Sequence, residues 1–285
     1  RRDWPCPSCG LTLSKSPRKD SGALKVERAF ETKFDRSLGE TVRQARQVPV
    51  LINYSVGKKR YEKRPDEDDL ALIARIENSD VPYPFPTNAL PDGYNTRQPM
   101  ESHGITHVHH FYTQRNLRAF SALWQSTVNL ALRAALIGGL SEGVKMSRFR
   151  APLWFNKTSG PMKGLTSGTL YVPSLSGEQN WFNIFASRIA AVKRQLVAMQ
   201  STRKAQLYIT TTGSATQLNL PDNCLQYVFT DPPFGGNLMY SELNFINEAW
   251  LHVFTNNEPE AIVNKVQRKG LPEYQRLMEA CFREF

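Results

Sequence analysis

The segment Leu225-Gln226-Tyr227-Val228-Phe229-Thr230 runs without a break into Asp231-Pro232-Pro233-Phe234, and it limits what this chain can fold into more than any other stretch. Six residues rich in β-branched and aromatic side chains predict a short strand. Two consecutive prolines fix φ and remove two backbone donors, so neither a ladder nor a helix continues through them, and the strand must end in a stiff loop. A second short apolar run, Leu207-Tyr208-Ile209-Thr210, precedes it, and helical patterns flank the pair over Trp181 to Leu196 and near 241–254 and 272–285. Strands alternating with helices predict an α/β fold, with a sheet in the second half of the chain. Ligands in such a sheet bind at the carboxyl ends of the strands, which is where Asp231 is expected.

Upstream, Thr113 caps a predicted helix whose apolar stripe, Leu117, Phe120, Leu123, Trp124, Leu130, Ala131 and Ala134, ends at Gly138-Gly139. The aromatic residues of this stripe, and those at 181–185, read as core. Residues 141–176 read as a long excursion rich in Gly, Ser, Thr and Lys, and residues 80–105, with five prolines, as a connecting loop. The acidic run Asp66-Glu67-Asp68-Asp69 precedes Leu70, Leu72, Ile73 and Ile76, which predicts a short helix with negative charge at its positive end. Before it, one strand is expected over Val48 to Tyr54. The organisation predicted is a basic, irregular N-terminal region over residues 1–100 and an α/β region over 101–285.

Charge and composition bear on the partner. A chain of 285 residues with 40% hydrophobic side chains can bury a core, which excludes disorder as its main state. Of a net charge of +10, residues 1–64 carry nearly all, with 16 basic and 7 acidic side chains. A localised positive field favours a polyanion such as nucleic acid, or an anionic membrane surface; a solvated basic face accounts for it equally well. Within it, Lys58, Lys59, Arg60, Lys63 and Arg64 are candidates for phosphate contacts, which position a protein without choosing sequence. There is no run of eighteen apolar residues, so no membrane span is expected. Four cysteines are too few for a disulfide framework and fit a reducing cytoplasmic setting.

The tetrapeptide Asp231-Pro232-Pro233-Phe234 carries the chemistry. A carboxylate beside a backbone carbonyl makes an acceptor-only pocket, complementary to an NH2 group. Phe234 offers a flat face on which a base can stack, worth about 1–3 kcal/mol. Together they suit a site that holds the exocyclic amine of a base. A turn that merely ends a strand is the other reading of the same four residues.

This tetrapeptide resembles the Asp-Pro-Pro-Tyr/Phe motif of the S-adenosylmethionine-dependent amino-methyltransferases, which methylate the 6-amino group of adenine or the 4-amino group of cytosine in DNA. Thr212-Gly213-Ser214-Ala215-Thr216 is similar to the segment these enzymes place one strand earlier. Phe234-Gly235-Gly236-Asn237, Tyr240-Ser241-Glu242-Leu243 and Trp250-Leu251, with Thr113-Gln114-Arg115-Asn116-Leu117 and Trp181 to Arg188, resemble a subgroup of large bacterial DNA methylases with a zinc-ribbon-like insertion. The resemblance implies a partial Rossmann-like methyltransferase sheet. It implies that Asp231 and the Pro232 carbonyl accept the amine hydrogens, with Pro233 stiffening the loop and Phe234 stacking on the base. It further implies that Gly213, Ser214 and Ala215 lie near the cofactor, and that Asn237, Tyr240 and Glu242 shape the loop over the base. The implied partner is double-stranded DNA with the base flipped out, in a restriction-modification or phage-defence setting with a restriction or defence partner. An RNA base-amine methyltransferase and a non-catalytic nucleic-acid-binding module remain as alternatives.

The family's glycine-rich cofactor loop is not matched in this sequence, which predicts that the chain is a fragment and that alone it binds S-adenosylmethionine weakly. Cys6-Pro7-Ser8-Cys9-Gly10 resembles one knuckle of a zinc ribbon. Tetrahedral zinc needs four ligands, so Cys6 and Cys9 would supply half, with the rest from upstream or from His103, His107, His109 and His110. A turn with free thiols is the plainer reading, and the histidines read as entering a helix at the edge of the core.

Overall fold

The computed structural model describes residues 3–156, 162–163, 166–201 and 213–285. By its internal contacts the chain divides into two units, residues 1–66 with 102–104, and residues 67–101 with 105–285.

The first unit is built of short strands. β1 (Asp3–Pro5) and β2 (Thr12–Ser14) pair antiparallel, and β3 (Leu24–Lys25) adds to β2 in parallel. β4 (Phe30–Asp35) and β5 (Glu40–Ala45) form a hairpin whose loop is fixed by Asp35, its Oδ1 accepting from the Ser37 and Leu38 amides. β6 (Ile52–Val56) and β7 (Lys59–Lys63) form a second hairpin. The first quarter is therefore more ordered than its sequence suggests, and the strand expected over Val48 to Tyr54 begins at Ile52 instead. Its strands are short and largely exposed on both faces, so they leave no clean period-two pattern to read.

The second unit opens with α1 (Glu67–Glu77), whose first turn holds Glu67, Asp68 and Asp69 as expected. Residues 80–105 are not all loop: α2 (Tyr94–His103) forms despite Pro99 at its sixth position. A 3-10 turn over Val108–Phe111 leads to α3 (Gln114–Ser126), capped by Thr113, whose side chain accepts from the Asn116 amide at 3.2 Å. The single helix expected to run to Gly139 is two. α3 stops at Thr127, and α4 (Leu130–Gly139) starts afresh from Asn129, whose Oδ1 accepts from the Ala131 and Leu132 amides.

Short elements follow: β8 (Arg148–Phe149), α5 (Ala151–Phe155) and β9 (Met162–Lys163), with β8 and β9 paired antiparallel. The excursion over 141–176 is not external throughout, because Val144, Met146, Leu170 and Val172 are buried in the core. α6 (Trp181–Ser201) packs on α4, and α7 (Tyr240–Leu243), α8 (Phe245–Leu251) and α9 (Leu271–Glu284) complete the described elements.

Phe120 stands at the centre of this core. Its ring lies 4.3 Å from that of Trp181 and 4.5 Å, edge to face, from that of Trp250, whose indole N–H donates to the buried Tyr112 hydroxyl at 2.9 Å. Burial pushes the Tyr112 phenol far above its ordinary pKa, so it stays a neutral hydrogen-bonding group. The helix starts named in the sequence are tied to the same core. Asn116 Nδ2 donates to the Gly143 and Gln179 carbonyls, and Arg115 grips Glu178 through two nitrogens.

The architecture is mixed α and β, and among the described residues its sheets have two or three strands. Leu225 to Thr230 is not a strand: the segment is exposed and joins no ladder among the described residues. A strand is held by partners for its backbone N–H and C=O groups. The neighbour expected for this one, Leu207 to Thr210, lies outside the described residues. No helix among the described residues is long and apolar enough to cross a membrane.

Candidate functional site

Asp231 to Phe234 forms a loop that leaves its chemical groups open and holds its backbone from behind. Asp231 is exposed and the Phe234 side chain is 72% exposed, while Pro232 and Pro233 are half-buried. The Tyr274 hydroxyl, from the first turn of α9, donates to the Pro233 carbonyl at 2.7 Å. Two residues on, the Val263 amide donates to the Gly235 carbonyl at 3.4 Å, and the Asn237 amide closes a turn onto the Phe234 carbonyl at 3.3 Å. Among the described residues the Pro233 carbonyl has a donor and the Pro232 carbonyl has none. The loop therefore carries an exposed carboxylate, an open carbonyl and an open aromatic face within four residues.

The loop leads into α7, which is clamped by two carboxylates. Glu260 accepts from the Ser241 amide at 3.0 Å and from its hydroxyl at 2.7 Å, and Gln267 Nε2 donates to the same carboxylate. Lys269 Nζ donates to the backbone carbonyls of Asn257 and Glu260, which ties this clamp into one turn; burial lowers its pKa.

The second clamp is Glu242. Only 4% exposed, it accepts from the Asn95 amide at 2.7 Å, the Tyr94 amide at 3.3 Å, Asn95 Nδ2 at 3.2 Å and Asn264 Nδ2 at 3.3 Å. The amides of Tyr94 and Asn95 open α2 and have no partners within their own helix, so the carboxylate caps that helix from a distant segment, with the helix dipole in its favour. Gly93 makes the approach possible: a Cβ there would stand 2.4 Å from Glu242 Cδ. Both oxygens of Glu242 are thus committed inside the protein, whereas Asn237 and Tyr240, named with it in the sequence, are exposed beside the loop. Gly93, Asn95, Asn264, Glu260 and Tyr274 carried no signal in the sequence, because each acts through a partner many residues away.

Gly213, Ser214 and Ala215 lie in an open turn. Ser214 Oγ and Thr216 Oγ1 are 2.7 Å apart, and the Thr216 amide donates to Ser214 Oγ. With their hydroxyls paired to each other and Gly213 and Ala215 exposed, these residues give S-adenosylmethionine no enclosing surface and do not by themselves fit it. The segment is fastened to the end of α9 by the Leu218 amide, which donates to Glu284 Oε2 at 2.9 Å. Tyr274 and Glu284 are ten residues apart on that helix, about 15 Å along its axis. α9 therefore holds the segment after residue 213 at one end and the Asp231 loop at the other.

In the first unit, Cys6 and Cys9 lie in the turn between β1 and β2. The Cys6 amide donates to the Leu11 carbonyl at 2.7 Å and the Gly10 amide to the Cys6 carbonyl at 2.9 Å. The Ser8 and Cys9 amides, aimed at the Cys6 sulfur, hold its thiol below the ordinary range, which favours the thiolate that a metal binds. This arrangement fits half of a tetrahedral thiolate site. Lys58, Lys59, Arg60 and Arg64 are exposed on or beside the β6–β7 hairpin, and Lys63 pairs with Asp66 at 2.7 Å.

His107, His109 and His110 enter the 3-10 turn at the core. His109 and His110 are buried with rings 4.3 Å apart, and Thr106 bonds to the Nδ1 atoms of His107 and His110. His103, in the first unit, is buried and bonds through Nδ1 to the Ser102 hydroxyl.

Compared with family models, with curated proteins and with solved structures, the chain finds no match in any of the three.

Proposed function

We propose that this chain carries the base-amine site of an S-adenosylmethionine-dependent DNA methyltransferase, directed by preference to the 6-amino group of adenine. The observation that supports it best is the Asp231 to Phe234 loop. It offers the carboxylate of Asp231 and the carbonyl of Pro232 to the two hydrogens of an amine, and the ring of Phe234 to the base that bears it. An amine whose hydrogens are both engaged keeps its lone pair in a fixed direction, and orientation of this kind is a large part of what a transfer reaction needs. Tyr274 and Val263 hold the loop backbone, so the site is prepared before the base arrives.

In this reading S-adenosylmethionine supplies the methyl group, and the surface that encloses it is formed by residues beyond the open turn at 213–215. The Rossmann-like sheet belongs to the same proposal, with Leu225 to Thr230, exposed and unpaired among the described residues, as the segment that leads into the loop. A target inside a duplex has to be flipped out to reach this loop, so the substrate is double-stranded DNA, with the basic first unit providing phosphate contacts through Lys58, Lys59, Arg60 and Arg64. A cytoplasmic restriction-modification or defence setting, and zinc at Cys6 and Cys9 with two further ligands, complete the reading.

The test is methyl transfer from labelled S-adenosylmethionine by the full-length polypeptide to duplex DNA and, separately, to structured RNA. Label in adenine of the DNA supports the proposal. Label in RNA alone replaces it with the RNA reading, and no transfer to either leaves a nucleic-acid-binding role.

A further inference from the structure

The β6–β7 hairpin has two unlike faces. Residues directly opposite each other in an antiparallel pair point to the same side. The register therefore places Ile52 with Lys63, Tyr54 with Tyr61 and Val56 with Lys59 on one face, and Asn53 with Glu62 and Ser55 with Arg60 on the other. The polar face closes on itself through Asn53 Nδ2, which donates to Glu62 Oε1 at 3.1 Å. The opposite face is open. Tyr54 and Tyr61 stack across the strands with centroids 5.5 Å apart and an interplanar angle of 23°, yet they are 41% and 42% exposed.

Turn chemistry fixes this presentation. Gly57 takes φ +59° at the first central position of a two-residue hairpin turn, which puts Lys58 at the tip and Lys59 directly after it. Lys59 and Lys63 flank the aromatic pair on its own face, about 13 Å apart along the strand, Lys63 paired with Asp66 and Lys59 exposed. Among the described residues no third strand joins β6 or β7. Burial of a core does not account for a stacked ring pair left this open, and the surrounding charge selects an anionic ligand over an apolar peptide.

The ligand chemistry follows from the two features together. Parallel rings are extended by another flat ring, and cations beside them are matched by charges that recur along a strand. Bases within a duplex already stack on both faces and show only their edges in the grooves, so ring-on-ring contact requires unpaired bases. We infer that this hairpin face is a binding site for unpaired bases of a nucleic-acid strand, which stack on Tyr54 and Tyr61 while Lys58 at the turn and Lys59 on the same face hold neighbouring phosphates. The inference rests on the hairpin alone and does not depend on the methyl-transfer reading.

Fluorescence anisotropy with a short labelled oligothymidylate, and with the same oligonucleotide in an A·T duplex, tests this on the full chain without reading methylation. Wild type is expected to bind the single strand more tightly. Tyr54→Val with Tyr61→Val keeps β-branched residues on the strands and removes the rings, and it should weaken single-strand binding about tenfold while leaving duplex binding nearly unchanged. Tyr54→Phe with Tyr61→Phe should bind as wild type does. Lys58→Gln with Lys59→Gln should weaken binding to both ligands and flatten its salt dependence. Equal binding of single strand and duplex by wild type, an unaltered single-strand affinity in the Val variant, equal losses for both ligands in that variant, or a loss in the Phe variant would each overturn the inference.

Discussion

The loop from Leu225 to Phe234 and the shoulder behind it, from Tyr240 to Lys269, belong to one stretch of chain and are built on opposite principles. In the loop, Tyr227 and Phe229 are about four-fifths exposed and Phe234 nearly three-quarters, and Asp231 faces solvent. In the shoulder, Glu242 and Glu260 are satisfied by amides and side chains drawn from segments up to 148 residues away in sequence. Carboxylates eleven residues apart thus serve different ends. Glu242 spends its acceptors inside the protein and fixes geometry, and Asp231 leaves its carboxylate exposed, where the proposed function has it meet a substrate. Tyr274, from α9 just beyond the shoulder, holds the loop through the Pro233 carbonyl.

Substitutions separate these roles. Glu242→Ala strands several buried donors, each worth about 1–3 kcal/mol, and should cost about 3 kcal/mol of stability in urea denaturation. A cost near zero would mean the shoulder is not the rigid partner in this pair. Gly93→Ala forces a methyl group against the same carboxylate and should lose about 1–3 kcal/mol by the same assay, with Gly93→Ala in the Glu242→Ala background losing much less, since the clash is gone.

Phe234→Ala should leave stability within about 0.5 kcal/mol, because the side chain is exposed, and remove about 1–3 kcal/mol from the binding of an unpaired adenine in a mismatched duplex. Phe234→Tyr should keep both. Tyr274→Phe removes one hydrogen bond and should cost about 1 kcal/mol; weaker base capture with the loop sequence unchanged would show that α9 sets the loop's position.

The same contrast explains what could be read in advance. α1, the start of α3 at Thr113, and α6 were legible because caps and apolar spacing are local signals. The break between α3 and α4 was hidden by an apolar stripe that continues on both sides of it, although Asn129 is a cap residue in plain view. α2 was hidden by Pro99 and its proline-rich neighbours. Leu225 to Thr230 has the composition of a strand without a ladder among the described residues, since pairing depends on a neighbour and composition does not. At the site, Asp231 to Phe234 stood out because its chemistry is contiguous. Glu242 was noticed and its work was not, because its donors at Tyr94, Asn95 and Asn264 are remote in sequence.

The central claim is that Asp231 serves a substrate while Glu242 serves the fold. Asp231→Ala, made in the full-length polypeptide and assayed for methyl transfer to duplex DNA beside an equilibrium unfolding curve, tests it most directly. The account predicts that methylation is abolished, with DNA affinity within a few-fold of wild type and stability within about 0.5 kcal/mol. Retained methylation, or loss of activity accompanied by unfolding, would contradict it.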